Sequence, residues 1–342
     1  MKLYYYKSAL GNFGDDINAW LWNDLLPGYF DQNDDVRFSG IGTIINTAMP
    51  VAKKWIVFSS GVGYGYPPKD FGGIGWDTIC VRGPLSAQIL GLPQDKYITD
   101  GAALLNTLSE FKPLSSDERS GTIFIPHHNA LETGQWEKAC KRAHITFVNP
   151  QGDAKEIIQK IRHSKLVLAD AMHAAIIADA MRVPWVPLVS SSQINTFKWL
   201  DWTQTISLPY MPIVLGSSSL RESLRNKCLH LYGERYFLPG ADVAASITQF
   251  KRQREIKSSY WWPRYMNTTK LLTYRIPNKV IKVLENKLDK TWDENSIDKA
   301  AICLDAAAKM DGFLSDDTIF HQNIERLQSG LKIIEERYRY SL

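Results

Sequence analysis

Cysteine is scarce: four residues in 342, Cys80, Cys140, Cys228 and Cys303, with no C-x-x-C pair among them. That spacing excludes a disulfide framework and a thiolate zinc site. It leaves reduced, mostly buried thiols of the kind a cytoplasmic protein carries. No apolar run reaches the length of a spanning helix, and no basic stretch followed by an apolar one opens the sequence. A spanning segment and a secretory leader are therefore not expected. The G-x-G-x-x-G fingerprint of dinucleotide binding is also missing. Charge of one sign is not in excess, at a net +4. What is present is a globular composition, 44% hydrophobic and 22% charged, long enough for two domains. Eleven tryptophans and fifteen tyrosines are many. Aromatics at that density suit a core, sugar stacking or a membrane-surface contact.

Short apolar runs alternate with helical patterns from the first residues. Leu3–Tyr6 reads as a strand, and Gly11-Asn12-Phe13-Gly14-Asp15-Asp16 as the turn into a helix. In α/β folds that turn is a ligand position. Two acids there would repel a phosphate, so Asp15 and Asp16 suit a structural cap or a side that faces an acceptor. Trp55–Phe58 is a strand buried on both faces and runs into Ser60-Gly61-Val62-Gly63-Tyr64, a substrate loop or a structural turn. Asp77–Val81 ends at Arg82, whose fork can clamp a carboxylate or phosphate or can pair with an acid such as Asp100 on the adjacent strand end. Pro84 opens a helix that Gly91 closes.

A polar linker at 109–119 separates a second α/β pattern. Thr122–Ile125 is a strand ending at Pro126-His127-His128. Adjacent histidines on an extended chain point apart, so they do not make a metal pair, and one touching substrate suits them better. Asp153–His163 is a helix with Ile157, Ile158 and Ile161 inward. Ser164–Pro187 then reads strand, polar tip, helix, strand, with His173 where the tip becomes the helix and small residues Ala174, Ala175 and Ala178 behind it. A histidine there is either catalytic or a plain cap. Lys198 beside Trp199 and Trp202 suits an anion contact flanked by stacking surfaces, or a helix whose tryptophans are core. Residues 251–290 hold eleven Lys/Arg against three Asp/Glu, interleaved with Tyr260, Trp261, Trp262, Tyr265 and Tyr274. That mixture suits an anionic membrane surface or a lipid-linked acceptor, or a solvated face; no nucleic-acid motif accompanies it. Phe320–Tyr338 carries a helical stripe of Ile324, Leu327, Leu331 and Ile334.

Six pieces in order resemble the polysaccharide pyruvyl transferase family: GNFGDDIN (11–18), SGVGY (60–64), VRGPLSA (81–87), DGA (100–102), PHH (126–128) and ADAMHAAIIADAMRVPW (169–185), followed by FKW and DW at 197–202. The resemblance covers roughly residues 1–210. It implies an α/β protein of two Rossmann-like domains in a GT-B-like arrangement. Residues 1–115 would lie on the acceptor side and 120–245 on the donor side. Residues 246–342 would form a basic aromatic extension and a C-terminal helix packing back on the body.

The implied reaction moves pyruvate from phosphoenolpyruvate onto two hydroxyls of a sugar, on a lipid-linked oligosaccharide or polysaccharide, as a cyclic ketal with release of phosphate. No cofactor, metal or nucleic acid is implied, and the setting is cytoplasmic with peripheral contact with the inner membrane. His173, Asp16 and Asp100 are the catalytic candidates. A histidine of ordinary pKa can give or take a proton near neutrality. Arg82, Lys198, His127, His128, Asn12, Asp15, Tyr64 and Trp199 are the substrate-binding candidates. Where relatives carry an arginine two residues before the histidine, this sequence has Ala171, so Arg82, Lys198 or Arg182 must meet the donor's negative charge. A nucleotide-sugar glycosyltransferase and a non-catalytic saccharide-binding protein are the alternatives.

Overall fold

The computed structural model describes residues 1–287 and 290–339; positions 288–289 of the basic segment and 340–342 of the C-terminal extension lie outside the described residues. Two parallel sheets carry the site. The first is built from β1 (Lys2–Tyr4), β2 (Val36–Ser39), β3 (Lys54–Phe58) and β4 (Trp76–Cys80), side by side in chain order. The turn after β1 enters α1 (Phe13–Asp16) and α2 (Asn18–Leu25), and β4 leads into α3 (Pro84–Leu90). Pro84 stands in the first turn of α3, and Gly91 closes it in the left-handed region at φ 67°, as the sequence predicts. Asp100 then caps a short 3₁₀ segment, Gly101–Thr107, through the Ala102 amide at 3.0 Å.

The second sheet contains β5 (Thr122–Ile125), β6 (Thr146–Phe147), β7 (Leu166–Ala169), β8 (Trp185–Val189) and β9 (Ile213–Val214), in the order β6-β5-β7-β8-β9. Its strand order reverses between β5 and β7, the crevice where open α/β sheets bind ligands. α4 (Trp136–Arg142) and α5 (Ala154–Arg162) cross between the first strands. Asp153 caps α5 through the Glu156 amide, and Ile157, Ile158 and Ile161 are buried as the spacing requires. α6 (Met172–Ala180) follows β7, and α7 (Thr196–Thr203) follows β8.

The alanines of α6 have a definite purpose. They let Ala102 and Ala103 of the first half pack against the helix, and the Asn106 amide donates to the Ala180 carbonyl at 2.7 Å. The core is consequently continuous from Phe38 and Phe58 of the first sheet to Val167 and Ile177 of the second. Beyond α8 (Leu220–Cys228), α9 (Val243–Ser258), α10 (Trp262–Lys270) and α11 (Ile276–Lys287) make a helical extension. α12 (Glu294–Ala308) then covers the second half, and α13 (Asp317–Tyr338) returns to the first sheet. There Phe320, Ile324, Leu327, Leu331 and Ile334 are buried, and a side chain in place of Gly330 would meet Phe58 at 2.8 Å. Among the described residues no helix is long and apolar enough to cross a membrane.

Candidate active site

Six strand-end loops converge on one place: those after β1, β3 and β4 of the first sheet and after β5, β7 and β8 of the second. The turn after β1 supplies Asp15 and the 3₁₀ segment supplies Asp100. α6 supplies His173 and α7 supplies Lys198. His173 approaches the β1 turn so closely that position 14 must be glycine. A β-carbon there would overlap the imidazole ring and lie only 2.5 Å from the histidine's own Cβ. Nε2 of His173 and Oδ2 of Asp100 face each other at 3.9 Å, and neither has a hydrogen-bond partner. Two buried polar atoms left unpaired in this way are costly, and such groups collect where function needs them.

Lys198 is the electrostatic centre. Its ammonium donates to the Tyr64 hydroxyl at 3.2 Å, lies 4.9 Å over the Tyr64 ring, and forms no ion pair among the described residues. Burial pushes His173 down to about 3, and the Lys198 and Arg82 charges push the same way. Burial raises Asp15 to about 7 against the pull of Lys198, and Asp100 to about 6 against Arg82 and Lys198. Burial also holds His127 well below its usual range and brings His128 to about 4; the Lys198 charge adds to both. The acid–base pattern is therefore inverted relative to expectation. The histidine is neutral near pH 7, while the carboxyls titrate close to neutrality, Asp15 sharing its proton near pH 7 and Asp100 keeping its own only below about pH 6.

Several candidates do other work. Arg82 is fully buried, and its fork grips Asp201 at 2.9 and 3.0 Å while Nη1 donates to Thr43 at 2.8 Å. It supports the site from behind and is corrected here from a substrate clamp; its partner acid is Asp201, not Asp100. Trp199 is 2% exposed and stacks on Tyr210 at 5.0 Å within the core, so it offers no sugar-stacking face. Arg182 is tied to Ser315 and Asp317 at the far end of α6. Asn12 donates to Asp15 at 2.5 Å, and its backbone N–H donates to Asp16 at 3.0 Å, so Asn12 and Asp16 shape the turn. Tyr64, half exposed, and the His127–His128 pair, ring centroids 4.3 Å apart, remain at the site's edge.

The sequence reading missed the residues that hold this arrangement. Asp170 accepts from the His127 amide at 2.8 Å and from the Ser190 amide and hydroxyl at 2.8 and 2.6 Å, binding three strand ends of the second sheet together. Asn195 donates to the Gly63 carbonyl at 3.0 Å across the halves. Arg225 donates to the Asn129 carbonyl and to Gln193, both at 2.6 Å. An acid inside an otherwise apolar stretch is the signal that could have found Asp170, and likewise Asp201, the partner of Arg82.

Residues 75–192 match the family described as Polysaccharide pyruvyl transferase. The chain is also 40% identical over 225 residues to the succinoglycan biosynthesis protein ExoV of Rhizobium meliloti (strain 1021), across 66% of this chain and 71% of that relative. The chain belongs to the polysaccharide pyruvyl transferase family. As a polysaccharide pyruvyl transferase it is an enzyme of pyruvyl transfer, and the glycosyltransferase and non-catalytic alternatives are set aside. No solved structure matches it. The family match spans β4 to the loop after β8, and so includes Arg82, Asp100, both histidines of the pair and His173.

Proposed function

We propose that the protein transfers pyruvate from phosphoenolpyruvate to two hydroxyls of one sugar in a lipid-linked exopolysaccharide unit at the cytoplasmic face of the membrane. The observation that carries this is the single lysine, Lys198, which makes no ion pair among the described residues and is set among two carboxyls whose pKa values burial raises and three histidines that burial keeps neutral. Phosphoenolpyruvate brings a phosphate and a carboxylate, and a site of that kind accepts negative charge without first displacing an ion pair. The two sheets, with their strand ends turned to one site, suit a GT-B-like pair of Rossmann-like units. Residues 1–115 serve the acceptor, 120–245 serve the donor, and 246–342 form the extension.

Residue roles follow from the inverted pattern. The methylene carbon of phosphoenolpyruvate takes a proton from a carboxyl, Asp100 or Asp15, leaving an oxocarbenium-like centre at C2. A sugar hydroxyl adds there and gives its proton to the neutral His173 imidazole. The C2–O bond to phosphate breaks, the second hydroxyl closes the ring and returns its proton to the carboxylate that gave one up, and the proton held by His173 leaves with phosphate. Lys198 balances the charge of the departing phosphate. His127 and His128 donate or accept hydrogen bonds from the second-sheet side.

The expected result is phosphate release from phosphoenolpyruvate with an acceptor gain of one pyruvic acid less one water. An acceptor panel showing neither, with no donor binding by calorimetry, overturns the reading. The carboxyls also set a pH dependence. Their pKa values are raised, so the useful protons are present at acid pH and are lost as pH rises through about 6 to 7. We therefore expect kcat/KM for phosphoenolpyruvate to fall on the alkaline side, with apparent values that belong to the Asp15–Asp100 pair as a whole. Asp100→Asn should move that limb. A profile flat between about pH 5 and 9 in the wild-type protein would exclude the carboxyl donor.

A further inference from the structure

α10 and α11 are joined through one wider helical turn, Leu271–Arg275, into a single rod with two unlike faces. The inner face is fixed to the body. Tyr274 is buried with Cys228 and Tyr232, the Tyr232 and Thr273 hydroxyls bond at 2.7 Å, and Arg221 donates to Asn278 at 2.9 Å. The outer face carries Trp261, Tyr265, Leu272, Ile276, Val280 and Val283, each between 47% and 63% exposed, at intervals of about one or two helical turns. An apolar stripe of this extent on a soluble surface marks a contact.

Charge identifies the occupant. From Ile256 to Leu284 the sequence has six Lys/Arg and no Asp/Glu. Arg264, Arg275, Lys279 and Lys282 are exposed beside the stripe and make no ion pair among the described residues. A folded-protein partner is usually met with few charges at the centre of the patch. Exposed tryptophan and tyrosine with aliphatic residues and unpaired cations are instead what an anionic headgroup layer accepts, with the rings at the interface and the cations at the phosphates. The surface also connects to the site. Lys257, just before Tyr260, donates to the Tyr236 hydroxyl at 2.6 Å; Tyr236 meets Tyr64 edge-on at 5.5 Å; and Tyr64 takes the hydrogen bond from Lys198.

We propose that the outer face of α10–α11, with Tyr260 and Trp261 at its start, lies on an anionic lipid bilayer and sets the site beside the leaflet. This rests on the proposed lipid-linked acceptor for its purpose, but its test does not depend on that acceptor. The full chain is sedimented with phosphatidylglycerol-containing vesicles and with pure phosphatidylcholine vesicles, at low and high salt. Binding is expected to the anionic vesicles, weakened by salt. Replacing all four outer cations, R264Q/R275Q/K279Q/K282Q, should lower the partition coefficient about 10²-fold or more, at roughly fivefold per cation.

Tyr260→Ser with Trp261→Ser should also lower it while leaving the charge intact. Unfolding temperature and phosphoenolpyruvate binding in solution should be unchanged in both variants, since these residues lie outside the site. Equal binding to both vesicle types, no effect of either variant, or binding only to membranes that retain their proteins would overturn the proposal. Loss of donor binding in the wild-type protein would instead sink the reading of the reaction and leave the lipid surface standing.

Discussion

His173→Ala should lower the turnover of pyruvyl transfer by a factor of about 10²–10⁴, the usual contribution of a positioned acid–base group. Phosphoenolpyruvate binding should survive, because Lys198 remains. Full turnover with normal donor binding would remove His173 from the chemistry. Gly14 provides an independent check on the same side chain. In Gly14→Ala the new methyl occupies the imidazole's volume, so the ring must leave its place opposite Asp100. A loss similar to that of the histidine variant is expected. If position 14 acts only through His173, the double variant should be no worse than His173→Ala alone, because the collision disappears with the ring. Additive losses would show that the β1 turn has a role of its own.

Asp201→Ala should be the most destabilising single change in the site's surroundings, by about 3–5 kcal/mol, as when one partner of a buried pair is removed. Both side chains are fully buried, so Arg82 would be left charged without its counter-ion. Asp201 also accepts from the Ser86 amide at 2.8 Å and the Ser86 hydroxyl at 2.6 Å, so it caps the first turn of α3 from another helix. Gly83 allows this. A side chain there would lie 2.6 Å from the Asp201 backbone carbon. Urea unfolding should shift to lower midpoint in Asp201→Ala, and Arg82→Met with Asp201→Leu should recover much of the loss. An unshifted midpoint in the single variant would mean that the pair does not hold α7 to the first sheet.

The alternation of strands and helices was readable because buried parallel strands such as Trp55–Phe58 and Leu166–Ala169 are continuous apolar runs, and because Pro84, Gly91 and Asp153 punctuate their helices by local chemistry. Much of the candidate site stands where local pattern would look for one. Asp15, Asp100, His173 and Lys198 all stand at strand ends or helix starts. What local pattern does not carry is the pairing of distant polar groups. Arg82 was expected to face a ligand because nothing near it in sequence announces Asp201, 119 residues away. Trp199 was expected to face a sugar because a tryptophan beside a lysine looks the same whether its ring turns outward or into a core. The protonation pattern was hidden for the same reason: burial and the reach of one ammonium decide it, and both are properties of the assembled loops.

α13 has a consequence for synthesis. Chain made at the ribosome emerges in order, and early segments usually begin to fold while later ones are still being added. Here Tyr29 donates to the carbonyl of Glu335, 306 residues later, and Asp77 receives the guanidinium of Arg337. The apolar side of the first sheet that this helix covers therefore stays open until nearly the whole described chain has been translated. The half of the enzyme made first is the half completed last, and its Phe58 and Ile79 are the surfaces that a nascent-chain chaperone would have most time to meet.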